Sequence, residues 1–183
     1  MNPTFPGHSA PSAGFEVPLE MLSACHHRVE RQCSTLRRLV PHLAAHGGDA
    51  DARSAAAAVL RYFDTAAPDH HADEETDLFP ALIESMAGSD AVCIRELVTA
   101  LTADHRQLEL HWRRLRPLLQ AIAAGQPQPL RVADVDPLLS LYAHHIARED
   151  AELLPLAARL LDDTALATVG RAMRERRGVA PVV

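Results

Sequence analysis

The sequence predicts an all-α protein, an up-down-up-down antiparallel four-helix bundle. Three observations predict it. Apolar residues recur at about 3.6-residue spacing over four long stretches. The first two stretches reappear in the second half of the chain as an internal repeat. No Val/Ile/Thr-rich alternating run suggests a strand. Helices of this kind, joined by short connections, bury their apolar stripes against one another.

Residues 1–17 hold three prolines and two glycines with little periodicity, and read as a flexible N-terminal extension. The bundle is expected over residues 18–162. From Pro18, the residues Leu22, Val29, Cys33, Leu36, Leu39 and Val40 fall near one stripe. Gly47 and Gly48 stop this first helix, and Pro41 is a candidate kink. Asp51 reads as the N-cap of a second, Ala-rich helix through Leu60, Tyr62 and Phe63. Pro68 predicts a bend just before a histidine pair. The pattern resumes through Leu78, Phe79, Leu82 and Ile83, and Gly88 ends it. Ser89 or Asp90 starts a third helix that runs to about Ala124, before the break GQPQP. Asp136 and Pro137 read as the N-cap and first turn of a fourth helix, which runs to about Leu161. A fifth, short helix is expected over 164–176, within a C-terminal segment 163–183. Its RAMRERRG reads as a solvated helix end.

Composition narrows the function. The 183 residues are 48% hydrophobic and 23% charged, which suits one globular core and not a disordered chain. A net charge of -6 disfavours nucleic acid and anionic membranes as partners. No uncharged apolar run approaches the ~20 residues a spanning helix needs. The opening residues lack the basic and apolar regions of a secretory signal. Cys25, Cys33 and Cys93 are odd in number and without paired spacing, which fits a reducing cytoplasm. Histidine is the outlier, with 11 residues against two tyrosines and one tryptophan.

Those histidines fall into a repeat. HHADEETDLFP in the second helix matches HIAREDAELLP in the fourth. The match places His70 over His145, Glu74 over Glu149, and Glu75 over Asp150. HHRVERQCSTLRRLV in the first helix matches HRQLELHWRRLRPLL in the third, pairing His26 with His105 and Glu30 with Glu109. Five H-x-x-x-E pairs occur, where composition alone gives roughly 0.7 by pattern counting. One pair alone is a solvated i,i+4 contact worth roughly 0.2–0.5 kcal/mol. Four pairs at matched positions, one per long helix, call for a shared task. Residues i and i+4 lie on one helix face, about 6 Å apart along the axis. There an imidazole supplies a terminal nitrogen, and a carboxylate one turn on can bridge to a second ion. Four helices aiming such pairs inward can hold two metals. Imidazole and carboxylate without thiolate suit iron, manganese or zinc. Buried at this density, the groups are costly without a cation.

The pattern H…HxxxE…H…HxxxE, flanked by EExxLFP and EDxxLLP, resembles the hemerythrin-like HHE cation-binding family over roughly residues 19–160. Carried over by position, the resemblance implies His26, His70, Glu74, His105, His145 and Glu149 as metal ligands. It implies a non-haem di-iron centre, oxo- or hydroxo-bridged, with Glu74 and Glu149 as carboxylate bridges. It also implies a small partner: oxygen, nitric oxide or peroxide. The chain departs from the oxygen carriers of that family, which use a second histidine one turn after the first on the third helix. Glu109 stands at that position, and no fifth histidine is obvious. A more anionic site favours Fe(III) and disfavours reversible oxygen carriage. Glu30 and Glu109 are further candidates, either as ligands or as groups holding the imidazoles, with a solvated Glu30 as the plain alternative. His27, His71 and His144 lie about 100° from the chosen ligands and read as exposed or as outer neighbours of the centre.

The expected function is a cytoplasmic metal-binding protein, a monomer or homodimer, that binds or reacts with a small ligand in sensing, detoxification or iron handling. It is expected to be a binding protein more than a dedicated enzyme. The rival is a helical interaction module with zinc or iron as a structural clamp. A ferritin-like oxidase is disfavoured, because no glutamate is followed by histidine three residues later.

Overall fold

A computed structural model describes residues 14–85 and 90–180, and no strand occurs among them. The expected stop at Gly88, the start at Ser89 and residues 1–13 of the expected extension lie outside the described residues. The helices are α1 (Pro18–His46), α2 (Ala50–Asp64), α3 (Ala66–Ala72), α4 (Phe79–Glu84), α5 (Asp90–Ala123), α6 (Val132–Arg148), α7 (Leu154–Leu160) and α8 (Asp163–Arg176). Two π-helical segments lie between them. Asp73–Leu78 joins α3 to α4, and Glu149–Leu153 joins α6 to α7. α1, α2, α5 and α6 pack in a ring, each against the next and α6 back on α1.

The stop of α1 and the break before the histidines fall where expected, and the starts of α2 and α6 differ. α1 runs through Pro41 and stops at Gly47, whose φ of 68° suits glycine and whose amide donates to the Leu43 carbonyl. The α2 N-cap is Asp49, not Asp51. Its Oδ1 accepts from the Ala52 amide at 2.8 Å, while Asp51 lies in the first turn, where a negative charge suits the dipole. The second column breaks at Thr65, so Pro68 falls in the first turn of α3 and needs no N–H. α6 begins at Val132, not at Pro137, because the Arg131 amide donates to Asp134 Oδ2 at 2.9 Å and opens the helix earlier.

The apolar interior is divided. One cluster includes Val29, Leu36, Phe63, Leu108, Leu115, Leu138 and Tyr142. The other includes Leu22, Leu78, Leu82, Leu101, Leu153 and Met173. Between them lies a belt of buried polar residues: His26, His70, Asp73, Glu74, His105, His145 and Glu149. Along α1 the chain passes from the second cluster through the belt to the first. From α2 to α4 the order reverses, and it reverses again in α5 and in α6–α7. Each fully buried leucine contributes about 1.5–3 kcal/mol.

The C-terminal segment is not an appendage. Val169 and Met173 of α8 belong to the second cluster. At Gly170 an added Cβ would stand 2.0 Å from the Phe15 carbonyl oxygen, so only glycine permits this approach. The Arg174 and Arg177 guanidinium groups lie 5.5 and 5.9 Å from the Phe15 ring centre, and Arg174 pairs with Glu16. Phe15 and Glu16 are therefore held against α8, not part of a free extension. Nor is the basic stretch of α8 a solvated end. Arg177 meets Asp73 at 2.6 Å and Arg176 meets Asp77 at 2.6 Å, while Arg176 also pairs with Asp73, which is fully buried.

Candidate metal centre

The belt is built by matched positions in the four columns. His26 comes from α1, His70 from α3, His105 from α5 and His145 from α6. Glu74 and Glu149 come from the two π-helical segments, which widen the backbone where the carboxylates must reach inward. All six side chains are at most 2% exposed. Each carboxylate turns one oxygen to either half of the chain. Glu74 Oε1 lies 3.5 Å from His70 Nε2, and its Oε2 lies 3.2 Å from His105 Nε2. Glu149 Oε2 lies 3.0 Å from His26 Nε2, and its Oε1 lies 3.0 Å from His145 Nε2.

Two groups of four result: His26, His70, Glu74 and Glu149, and then Glu74, His105, His145 and Glu149. Within each group, ligand atoms lie within 4.8 Å of one another. Both carboxylates belong to both groups. Despite the short separations, both oxygens of each carboxylate and His26 Nε2 are sealed from solvent without a well-formed hydrogen bond. Buried polar atoms rarely go unsatisfied. Separations near 3 Å are what adjacent ligands of one ion show when metal–ligand bonds are about 2.1 Å. The donor set therefore fits two cations sharing two carboxylates.

Outer carboxylates fix the imidazoles. Glu75 Oε1 meets His105 Nδ1 at 2.7 Å, and Asp150 Oδ1 meets His26 Nδ1 at 2.7 Å. Asp104 Oδ2 lies 3.6 Å from His145 Nδ1 and 3.4 Å from Arg148. Such partners orient each ring and raise its basicity toward a metal. The repeat match already paired Glu75 with Asp150, a signal that would have found them. Asp104 precedes His105, and Cys25 holds the equivalent place before His26. His70 Nδ1 is correspondingly buried without a partner.

The electrostatics follow from crowding. Burial opposes ionisation of Glu74, and the facing Glu149 charge adds to it, so the Glu74 carboxyl is held well above its ordinary range. Burial opposes Glu149 too, but the close imidazoles of His145 and His26 outweigh it and hold this carboxyl well below its ordinary range. Burial and the neighbouring imidazoles hold His70 down to about 3. Burial lowers His105, with His145 adding to the effect. For His26, burial is outweighed by Glu149 and Asp150, and its value rises. A divalent cation would relieve the carboxyl repulsion and take the neutral imidazole lone pairs.

Glu30 and Glu109 do not join the cluster. Glu30 is exposed and lies 3.3 Å from the exposed His27, while Glu109 pairs with Arg113 at 2.5 Å on the surface. One turn from the imidazole on a straight α-helix leaves each carboxylate on the rim. Glu74 and Glu149 instead lie within the π-helical segments and are buried. His144 is exposed and bonded to the Ser140 carbonyl at 2.7 Å. Of the two places expected for His71, exposed or neighbouring the centre, the fold gives it the second. Its ring turns inward and stacks on His105, with centres 4.0 Å apart and planes at 14°. Adjacent positions on a helix wedged between two others reach different neighbours, so His70 faces α1 and His71 faces α5. His71 also lines a cleft of about 340 Å³ with Phe63, His105, Trp112 and Tyr142, and Arg106 and Glu75 stand beside it. Trp112 both packs on the core and walls this cleft.

Residues 17–157 match the family model of the hemerythrin HHE cation binding domain. The chain belongs to that family. It is also 33% identical over 167 residues to an uncharacterized protein of Haemophilus influenzae, a match that spans 91% of this chain and 94% of that protein. Among the described residues, no helix is long and apolar enough to cross a membrane.

Proposed function

We propose that the chain holds two iron ions in this belt and binds or reacts with a small ligand, oxygen, nitric oxide or peroxide, in sensing, detoxification or iron handling. One observation carries the reading. Glu74 and Glu149 each present one oxygen to the His26/His70 pair and one to the His105/His145 pair. That is the disposition of two bridging carboxylates between two ions. Iron so held supplies redox change and affinity for small ligands. The chain's own part is to orient three imidazoles, His105 by Glu75, His26 by Asp150 and His145 beside Asp104, and to exclude bulk water with two apolar clusters. The cleft beside His71 and His105 gives a small molecule a route to one side of the centre. The reversal of cluster order from column to column supports an up-down-up-down course. Three cysteines without a disulfide suit the cytoplasm.

The test is metal content per chain and the optical spectrum of protein purified without air and then exposed to it. About two irons per chain with new near-ultraviolet bands on exposure is the expected result. A zinc-loaded chain that stays spectrally silent would favour the structural clamp, a reading favoured by the position of the belt between two apolar clusters.

A further inference from the structure

The two halves of the centre are not equivalent, and the difference lies at His71. The repeat places Ile146 opposite it, a buried residue of the first apolar cluster. The fold therefore closes this position with a hydrocarbon in one half and spends an imidazole on it in the other. His71 Nε2 is sealed from solvent with no hydrogen-bond partner. One ring nitrogen of His71 lies within 4.8 Å of ligand nitrogens of both His105 and His145. An imidazole binds a metal in its own ring plane. His71 and His105 are stacked nearly parallel, so their planes do not meet at a shared ion near either ring. His71 is thus close to the centre and badly aimed to ligate it. It also borders the cleft of about 340 Å³ that reaches His105.

We propose that His71 is a ligand-binding residue: its Nε2–H donates a hydrogen bond to a small anion that enters by this cleft and binds on the His105/His145 side of the centre. The proposal rests on the two-iron reading and adds a side and a recognition contact to it. On the His26/His70 side the equivalent position is Ile146, which has no donor to offer. Small anions with an exposed acceptor atom, of the azide or peroxide type, are the class this arrangement selects.

Azide titration of the iron-loaded full chain, read optically, tests it, with iron per chain measured on the same samples. His71→Ile copies the twin half, and His71→Gln keeps an N–H donor of similar reach. Both variants should retain two irons per chain. Azide should bind His71→Ile about tenfold more weakly than wild type, with part of the loss recovered in His71→Gln. Equal azide affinity in wild type and His71→Ile overturns the proposal. Loss of one iron in both variants overturns it too, since His71 would then be a metal ligand. A wild-type chain that takes up no iron pair fails at the centre itself, before any question about His71 arises, and the proposal falls with it.

Discussion

Glu74 and Glu149 each belong to both ligand groups of the centre, so on the proposed two-ion reading one substitution removes a ligand from both ions at once. Glu74→Ala and Glu149→Ala are expected to lose most bound metal and to unfold at lower temperature, because binding free energy is also folding free energy. Metal analysis and calorimetry check this, and two metals per chain in both variants would remove the bridging role. Glu75→Gln and Asp150→Asn act one layer out. They should weaken metal binding about 10–100-fold without abolishing it, as read by competition with a chelator of known affinity. Glu30→Ala and Glu109→Ala should leave metal content unchanged, since both carboxylates sit at the rim. His70 sets a pH dependence in chelator-treated protein. Its folded value is depressed from 6.5 to about 3, so its contribution is complete above 6.5 and is lost as pH falls toward 3. Urea midpoints should therefore drop between about pH 7 and 4, and less steeply in His70→Gln.

At the scale of elements, the sequence revealed the columns and concealed their special turns. Stripes through Leu22, Val29 and Leu36, and the matches of HHADEETDLFP to HIAREDAELLP and of HHRVERQCSTLRRLV to HRQLELHWRRLRPLL, suffice to place four helices and six of the buried polar residues. The π-helical turns at Asp73–Leu78 and Glu149–Leu153 span under two turns each. No periodicity can be read over so short a length. For His71 the sequence left exposure and an outer place at the centre both open, because a 100° offset predicts exposure only when one neighbour packs on the helix. The role of α8 was hidden by distance along the chain. Arg176 and Arg177 find Asp73 about a hundred positions earlier, and a basic run alone reads as solvated. Their pairing joins α8 to the residue preceding Glu74. Replacing both arginines by alanine leaves Asp73 buried and unpaired, which should cost about 3–5 kcal/mol in urea unfolding. A change within ±0.5 kcal/mol would mean that Asp73 takes up water or a proton without strain on the fold.

For the whole molecule, the binding reading ties stability to metal supply. A ligand present at 1,000 times its Kd adds about 4.1 kcal/mol to the folded state. Chelation should therefore lower Tm and restoring iron should raise it, with the logarithm of free metal and independently of protein concentration. The polar belt has a consequence for cooperativity. It cuts every column, so α1 and α5 each contribute hydrocarbon to two separate interiors, while α2 and α6 feed one and α4 and α7 the other. Without a cation, little beyond crowded imidazoles and carboxylates links one interior to the other across the belt. Amide exchange in chelated protein should then divide within helices, Leu101 and Leu108 of α5 opening with different free energies, instead of dividing between helices. Iron would merge two folding units into one, and the loss of that division on loading would measure how strongly the ions couple the ends of the bundle.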